Sequence, residues 1–175
     1  ILVAPGEYDE LVVMWKPVKL QGWGAGAVTL NARQIPTEKT QAWRAKIDEL
    51  TDGNGANGEI SLLPGQQVDM GPFQALGAPT FPTEEGAGIF VAGLSSGPDR
   101  FGRVRNRGAR IDGFNIVGAS QGGGIVVNGY AQFLNIGNNR LSANAGFYGG
   151  GIRVGHPTLT NEDGGGLAYT DAVND

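Results

Sequence analysis

His156 is the only histidine of the chain, held between Gly155 and Pro157 just after an apolar run. A lone imidazole can move a proton near neutral pH. It cannot by itself hold zinc or copper, and the chain has no second histidine and no cysteine to join it. The residues therefore predict no metal centre and give His156 a structural hydrogen bond or a ligand contact. Glycosidic hydrolysis needs two carboxylates facing one bond, yet the apolar runs carry Asp112 and little else. The run from Asp52 to Glu59 begins like a calcium loop, but Ala56 stands where an oxygen ligand belongs. Asn161-Glu162-Asp163 and Asp171, Asn174 and Asp175 read as solvated acidic loops. A loop-bound calcium ion is the one cofactor they leave open. Gly22-Trp23-Gly24-Ala25-Gly26 has a phosphate-loop composition, but the strand-like Ala27-Val28-Thr29-Leu30 follows where a helix N-terminus would be required. It reads as a corner.

Binding chemistry is better represented. Tyr130, Phe133, Phe147, Tyr148 and Tyr169 fall at or near corners. Exposed rings there would stack on sugars; buried, they would staple loops to the body. Arg100, Arg103, Arg105, Arg107 and Arg110 form a basic stretch in an acidic chain. It would face an acidic polysaccharide or a neighbouring subunit, or lie solvated. Tyr130, Tyr148, Arg153 and His156 are the residues selected as candidate ligand contacts.

Net charge is −4, which argues against nucleic acid, whose phosphates demand a basic face. No stretch approaches the roughly 18 apolar residues of a membrane span. The chain has 175 residues, enough for one domain, and 31 of them are glycine. No collagen period organises these glycines; they punctuate apolar runs, as in turn-rich β structure.

Three segments repeat: Gly86-Ala87-Gly88-Ile89-Phe90-Val91, Gly122-Gly123-Gly124-Ile125-Val126-Val127 and Gly149-Gly150-Gly151-Ile152-Arg153-Val154. Ile111 and Ile136, Phe114 and Asn139, and Ile116 and Leu141 are each 25 residues apart. Short strands recurring at this period fit the rungs of a parallel β-solenoid and are too close for propeller blades. Ile89, Ile125 and Ile152 are then one internal ladder, with Phe90, Val126 and Arg153 sharing one rung position, charged only at Arg153. Asn138 and Asn139 occupy a corner, where asparagine tolerates positive φ and its amide can bond the next rung. Earlier strands are predicted at Ile1-Leu2-Val3, Leu11-Val12-Val13-Met14, Val18-Lys19-Leu20 and Ala27-Val28-Thr29-Leu30, with Ala4-Pro5-Gly6 as a turn. Ile60-Ser61-Leu62-Leu63-Pro64-Gly65 echoes the start of the chain.

Residues 31–59 break the pattern. Thr37 is a natural N-cap, and Trp43, Ile47 and Leu50 share one helical face. This predicts one inserted amphipathic helix, with Gly53 as its stop, packed over a side or an end of the solenoid.

Ile1-Leu2-Val3-Ala4-Pro5-Gly6-Glu7-Tyr8, Glu10 and Lys16-Pro17-Val18-Lys19-Leu20-Gln21-Gly22 resemble the opening rungs of right-handed parallel β-helix proteins of the pectin-lyase-like superfold. Ile111 to Ile116 and Leu134 to Leu141, each followed by a glycine-led strand, resemble its central rungs. The resemblance implies an all-β, right-handed parallel β-helix with one inserted α-helix. It covers all of the chain but the helical insertion and the polar loops; 1–175 is read as a single domain, and the chain is expected to be a fragment of a longer one. Lyases of this superfold use an arginine base with calcium held by aspartates. Arg110, Arg140 and Arg153 are positioned to project outward, but no aspartate cluster accompanies them.

These residues encode corners and core rather than an activity. The expectation is a non-catalytic structural or binding segment of a large secreted or cell-surface bacterial protein. Its partners would be polysaccharide or other domains of a larger protein, with no nucleic acid and no membrane span. Two alternatives are part of a polysaccharide lyase or glycoside hydrolase with catalytic rungs elsewhere, and a self-associating adhesin or filament module.

Overall fold

The structure is a computed structural model, and it describes residues 1–51, 86–93, 101, 108–127, 131–146 and 149–155. Twelve strands and one helix follow in an order that winds four times around a common axis. The first turn contains β1 (Leu2–Val3), β2 (Gly6–Tyr8) and β3 (Val12–Met14). The second contains β4 (Lys19–Gly22) and β5 (Val28–Asn31), then the helix α1 (Thr37–Thr51), then β6 (Ile89–Val91). The third contains β7 (Arg110–Asp112), β8 (Asn115–Val117) and β9 (Ile125–Val127), and the fourth β10 (Asn135–Gly137), β11 (Arg140–Ser142) and β12 (Ile152–Val154).

Corresponding strands of successive turns pair in parallel. They form three four-stranded sheets: sheet A (β1-β4-β7-β10), sheet B (β2-β5-β8-β11) and sheet C (β3-β6-β9-β12). This is a parallel β-solenoid. Strands of two to four residues have no independent stability. Each is held by the one stacked above or below it.

Registration puts like residues on like. Val12, Ile89, Ile125 and Ile152 are consecutive partners in sheet C, as the glycine-led repeats predict. Leu20, Ile111 and Ile136 form the ladder of sheet A, and Tyr8, Leu30, Ile116 and Leu141 that of sheet B. Ile89, Ile111, Ile116 and Ile125 are completely buried where the three ladders meet.

Two sequence expectations need correction or completion. The Ala4-Pro5-Gly6 turn does not extend through Gly6, because Gly6-Glu7-Tyr8 pairs with Val28-Thr29-Leu30 as a strand. Tertiary pairing overrides glycine's local preference for a turn, and the Tyr8 hydroxyl donates to the Ala4 carbonyl at 3.0 Å. The helix, whose position was open, lies along a side. Trp43, Ile47 and Leu50 pack on Phe90 and Val126, the outward residues of sheet C. The Trp43 and Phe90 rings meet edge to face at 5.6 Å. All three residues of β6 and of β9 are therefore buried, one face by the core and the other by α1. Lys46 adds a cation–π contact 4.1 Å from the Trp15 ring centroid. Gly53 and the Ile60–Gly65 echo lie outside the described residues.

The corners follow a rule of their own. Gly108, Gly113 and Gly118 have φ of 93°, 81° and 82°. One turn later, Phe133, Asn138 and Ala143 hold the equivalent places with φ of 62°, 55° and 52°. At Gly113 a side chain is excluded twice over: by the left-handed backbone, and by the Gly22 carbonyl oxygen, 2.7 Å from where a Cβ would stand.

Two asparagines of the fourth turn clamp the third. Asn139 accepts from the Phe114 N–H at 2.9 Å and donates to the Ile111 carbonyl at 2.9 Å. Asn144 accepts from the Ala119 N–H at 3.0 Å and donates to the Ile116 carbonyl at 2.8 Å. The same bridge is built twice, five residues apart.

Candidate functional site

A three-sided coil exposes only what its strands point outward, and here the sides differ. Sheet C is covered by α1. Sheet B presents polar and charged side chains: Glu7, Thr29, Asn115 and Arg140 form one register row. Asn115 Nδ2 donates to Thr29 Oγ1 at 3.2 Å. Lys39, from the first turn of α1, reaches over to donate to the Asn31 carbonyl at 3.1 Å. Burial pulls the Lys39 ammonium below its ordinary pKa, against the opposing pull of Asp9 and Glu10.

Sheet A presents the most varied chemistry. Lys19, Arg110 and Asn135 form one outward row, and Gln21, Asp112 and Gly137 the next. These rows alternate with the buried Leu20 and Ile111, so their side chains stand away from the core. Asp112 Oδ2 accepts from Asn138 Nδ2 at 2.9 Å, tying the third and fourth turns together at the corner.

The three arginines singled out for outward projection land on three different sides: Arg110 on sheet A, Arg140 on sheet B and Arg153 on sheet C. A coil rotates successive strands to different faces, so proximity in sequence does not bring these groups together. Among the described residues, no group of three His, Cys, Asp or Glu is close enough to share a metal ion.

Of the four residues selected as ligand contacts, Tyr130, Tyr148 and His156 lie outside the described residues. Arg153 is described. It continues the outward stripe of Val13, Phe90 and Val126, which α1 covers in the earlier turns. It is half-buried, and burial brings its guanidinium down to about 10. It still carries its charge at neutral pH. The structure thus places Arg153 at the edge of the helix-covered side.

Sequence reasoning missed the exposed aromatic of the second turn. Trp23, in the glycine-rich run read only as a corner, is 66% exposed. Of the corner aromatics that were noticed, Phe133 is 57% exposed, whereas Phe147, Tyr148, Tyr130 and Tyr169 lie outside the described residues. The available signal for Trp23 was its setting. A large ring between two glycines has no neighbouring side chain to bury it.

Compared with protein-family models, curated proteins and solved structures, the chain matches none. Function therefore rests on the faces themselves.

Proposed function

We propose that the chain is a non-catalytic scaffold and binding segment of a large secreted or cell-surface bacterial protein. Its solenoid is right-handed and of the pectin-lyase-like kind, and it displays its uncovered sides to polysaccharide. The right hand follows from the strong preference of parallel β crossovers for that sense. One observation carries the non-catalytic reading: Arg110, Arg140 and Arg153 sit on three separate sides, with Asp112 the lone carboxylate among the described strands of sheet A. Acid–base cleavage of a glycosidic bond needs paired groups converging on one atom. Polar and singly placed charged side chains on a flat face, with an exposed aromatic at its corner, suit binding without turnover.

The test is to incubate the purified chain with a panel of neutral and acidic polysaccharides and follow mobility in affinity electrophoresis together with release of new chain ends. Retardation by at least one polysaccharide with no cleavage is expected. Cleavage that persists through repurification and is lost in Asp112→Asn would establish the enzymatic alternative instead.

A further inference from the structure

The strands of the first and fourth turns are the outermost in all three sheets. Among the described residues, β1, β2 and β3 pair only with the second turn, and β10, β11 and β12 only with the third. Both ends of the coil therefore show strand edges, which another strand can take up. On β12 the free edge can be located. Gly151 O and Gly155 N bond back to β9, so by the alternation of a parallel ladder the N–H groups of Ile152 and Val154 point away from it. The side chains here are core residues without a next layer. Ile89, Ile125 and Val91 are completely buried on their ladders, whereas Ile152 and Val154, last on the same ladders, are 48% and 50% exposed. At the other end, Tyr8 and Val12 occupy ladder positions and are only half-buried.

The two ends fit each other. If the register is continued by one layer, the first turn of a second copy falls on the fourth turn of the first. Val12 then follows Ile152, Met14 follows Val154 and Tyr8 follows Leu141, so the apolar ladders run on without a break. The exposed Leu2 lies over Gly137, which has no side chain to oppose it.

Charge sets the polarity of the joint. Glu7 and Arg140 are the two ends of one register row, with the neutral Thr29 and Asn115 between them. Both are exposed, and neither makes an ion pair among the described residues; Glu7 accepts only a long contact, 3.5 Å, from Asn31 Nδ2. Within one copy they stand three strand spacings apart, about 14 Å, and across a head-to-tail joint one spacing apart, about 4.8 Å. Opposite charges facing each other on adjacent strands attract, and like charges repel. Stacking two like ends brings two Arg140 or two Glu7 side chains to the shared edge and reverses the strand direction across it. Head-to-tail stacking alone keeps the strands parallel and the charges opposed.

We propose that the fourth turn of one copy stacks in parallel and in register on the first turn of another, so that the chain assembles head to tail into a rod. The occupant of each end is a second copy of this chain. A head-to-tail joint along the coil axis does not close on itself, and each copy adds four turns, roughly 19 Å, to the length. The outer faces of sheets A and B stay free, so the inference stands apart from the polysaccharide reading.

Sedimentation velocity of the whole chain over a range of concentrations tests it. The wild type should form species that grow past the dimer as concentration rises. Glu7→Arg and Arg140→Glu each place like charges at the joint and should weaken assembly about ten-fold or more. Mixed in equal amounts, the two variants oppose unlike charges at every joint again and should assemble as the wild type does. A wild type that stays monomeric, or that stops at a closed dimer, overturns the proposal. So does a mixture no more assembled than either variant alone. Hydrogen exchange of the wild type gives a reading that needs no variant. The Ile152 and Val154 amides should exchange quickly in dilute solution and gain protection as concentration rises. Full protection already in the dilute monomer would put another part of the same chain on this end and overturn the second copy as its occupant.

Discussion

Ile125→Ala is expected to destabilise the chain by about 2–5 kcal/mol, among the largest losses any single truncation here should cause. Ile125 is completely buried and is stacked in register between Ile89 and Ile152. In a solenoid each turn supports only its neighbours, so a cavity at Ile125 weakens two interfaces at once, toward the second turn and toward the fourth. With native stability commonly about 5–15 kcal/mol, urea unfolding should show the loss directly as a lowered midpoint with little change in slope. The same truncation at Ile152, 48% exposed on β12, should cost well under half as much. Equal losses at the two positions would mean that the isoleucines do not form the ladder described.

The paired variant Asn139→Ala with Asn144→Ala is the second large effect, expected at about 2–6 kcal/mol in total. Each amide satisfies one backbone N–H and one carbonyl of the turn beneath it. Truncation leaves those partly buried groups without partners, and that penalty exceeds the modest net gain of an ordinary hydrogen bond. Asn139→Asp keeps an acceptor for the Phe114 N–H but has no donor for the Ile111 carbonyl, so it should fall between wild type and Asn139→Ala. Hydrogen exchange at the Phe114 and Ala119 amides gives a local reading. Both should lose protection in the paired variant, and retained protection would mean that the clamps are ornamental.

Much of this architecture is legible in the sequence because parallel in-register stacking forces identical positions to obey identical constraints. Ile89, Ile125 and Ile152 announce themselves, as do the 25-residue intervals from Ile111 to Ile136 and from Ile116 to Leu141. The helix is legible too, since Trp43, Ile47 and Leu50 recur with helical spacing. Its seat is not, because the stripe it covers is assembled from Val13, Phe90 and Val126, contributed by three turns. The five-residue spacing of Gly108, Gly113 and Gly118 is visible in the chain and marks the corners. Its continuation is disguised, since Phe133, Asn138 and Ala143 adopt the same conformation without being glycine.

The outer face of sheet A was the least legible feature. Lys19 and Arg110 are distant in the chain and become neighbours only through the coil. Trp23 was hidden within a run whose glycines explained themselves as a corner. Conversely, Arg110, Arg140 and Arg153 look alike in sequence, each beside an apolar strand residue, and the winding sends them to different sides.

Every face discussed exists only if the turns stack in this register. The chain has no cysteine, so a pair of spin labels can be placed without background. Thr29 and Asn115 are direct outward partners on β5 and β8, and Arg140 is one strand further on β11. Labels on Thr29→Cys with Asn115→Cys should show strong spin–spin broadening, as expected for backbones about 4.8 Å apart, and labels on Thr29→Cys with Arg140→Cys, about twice as far, distinctly less. Equal broadening in the two pairs, or stronger coupling in the second, would contradict the parallel stacking from which the proposed binding sides are built.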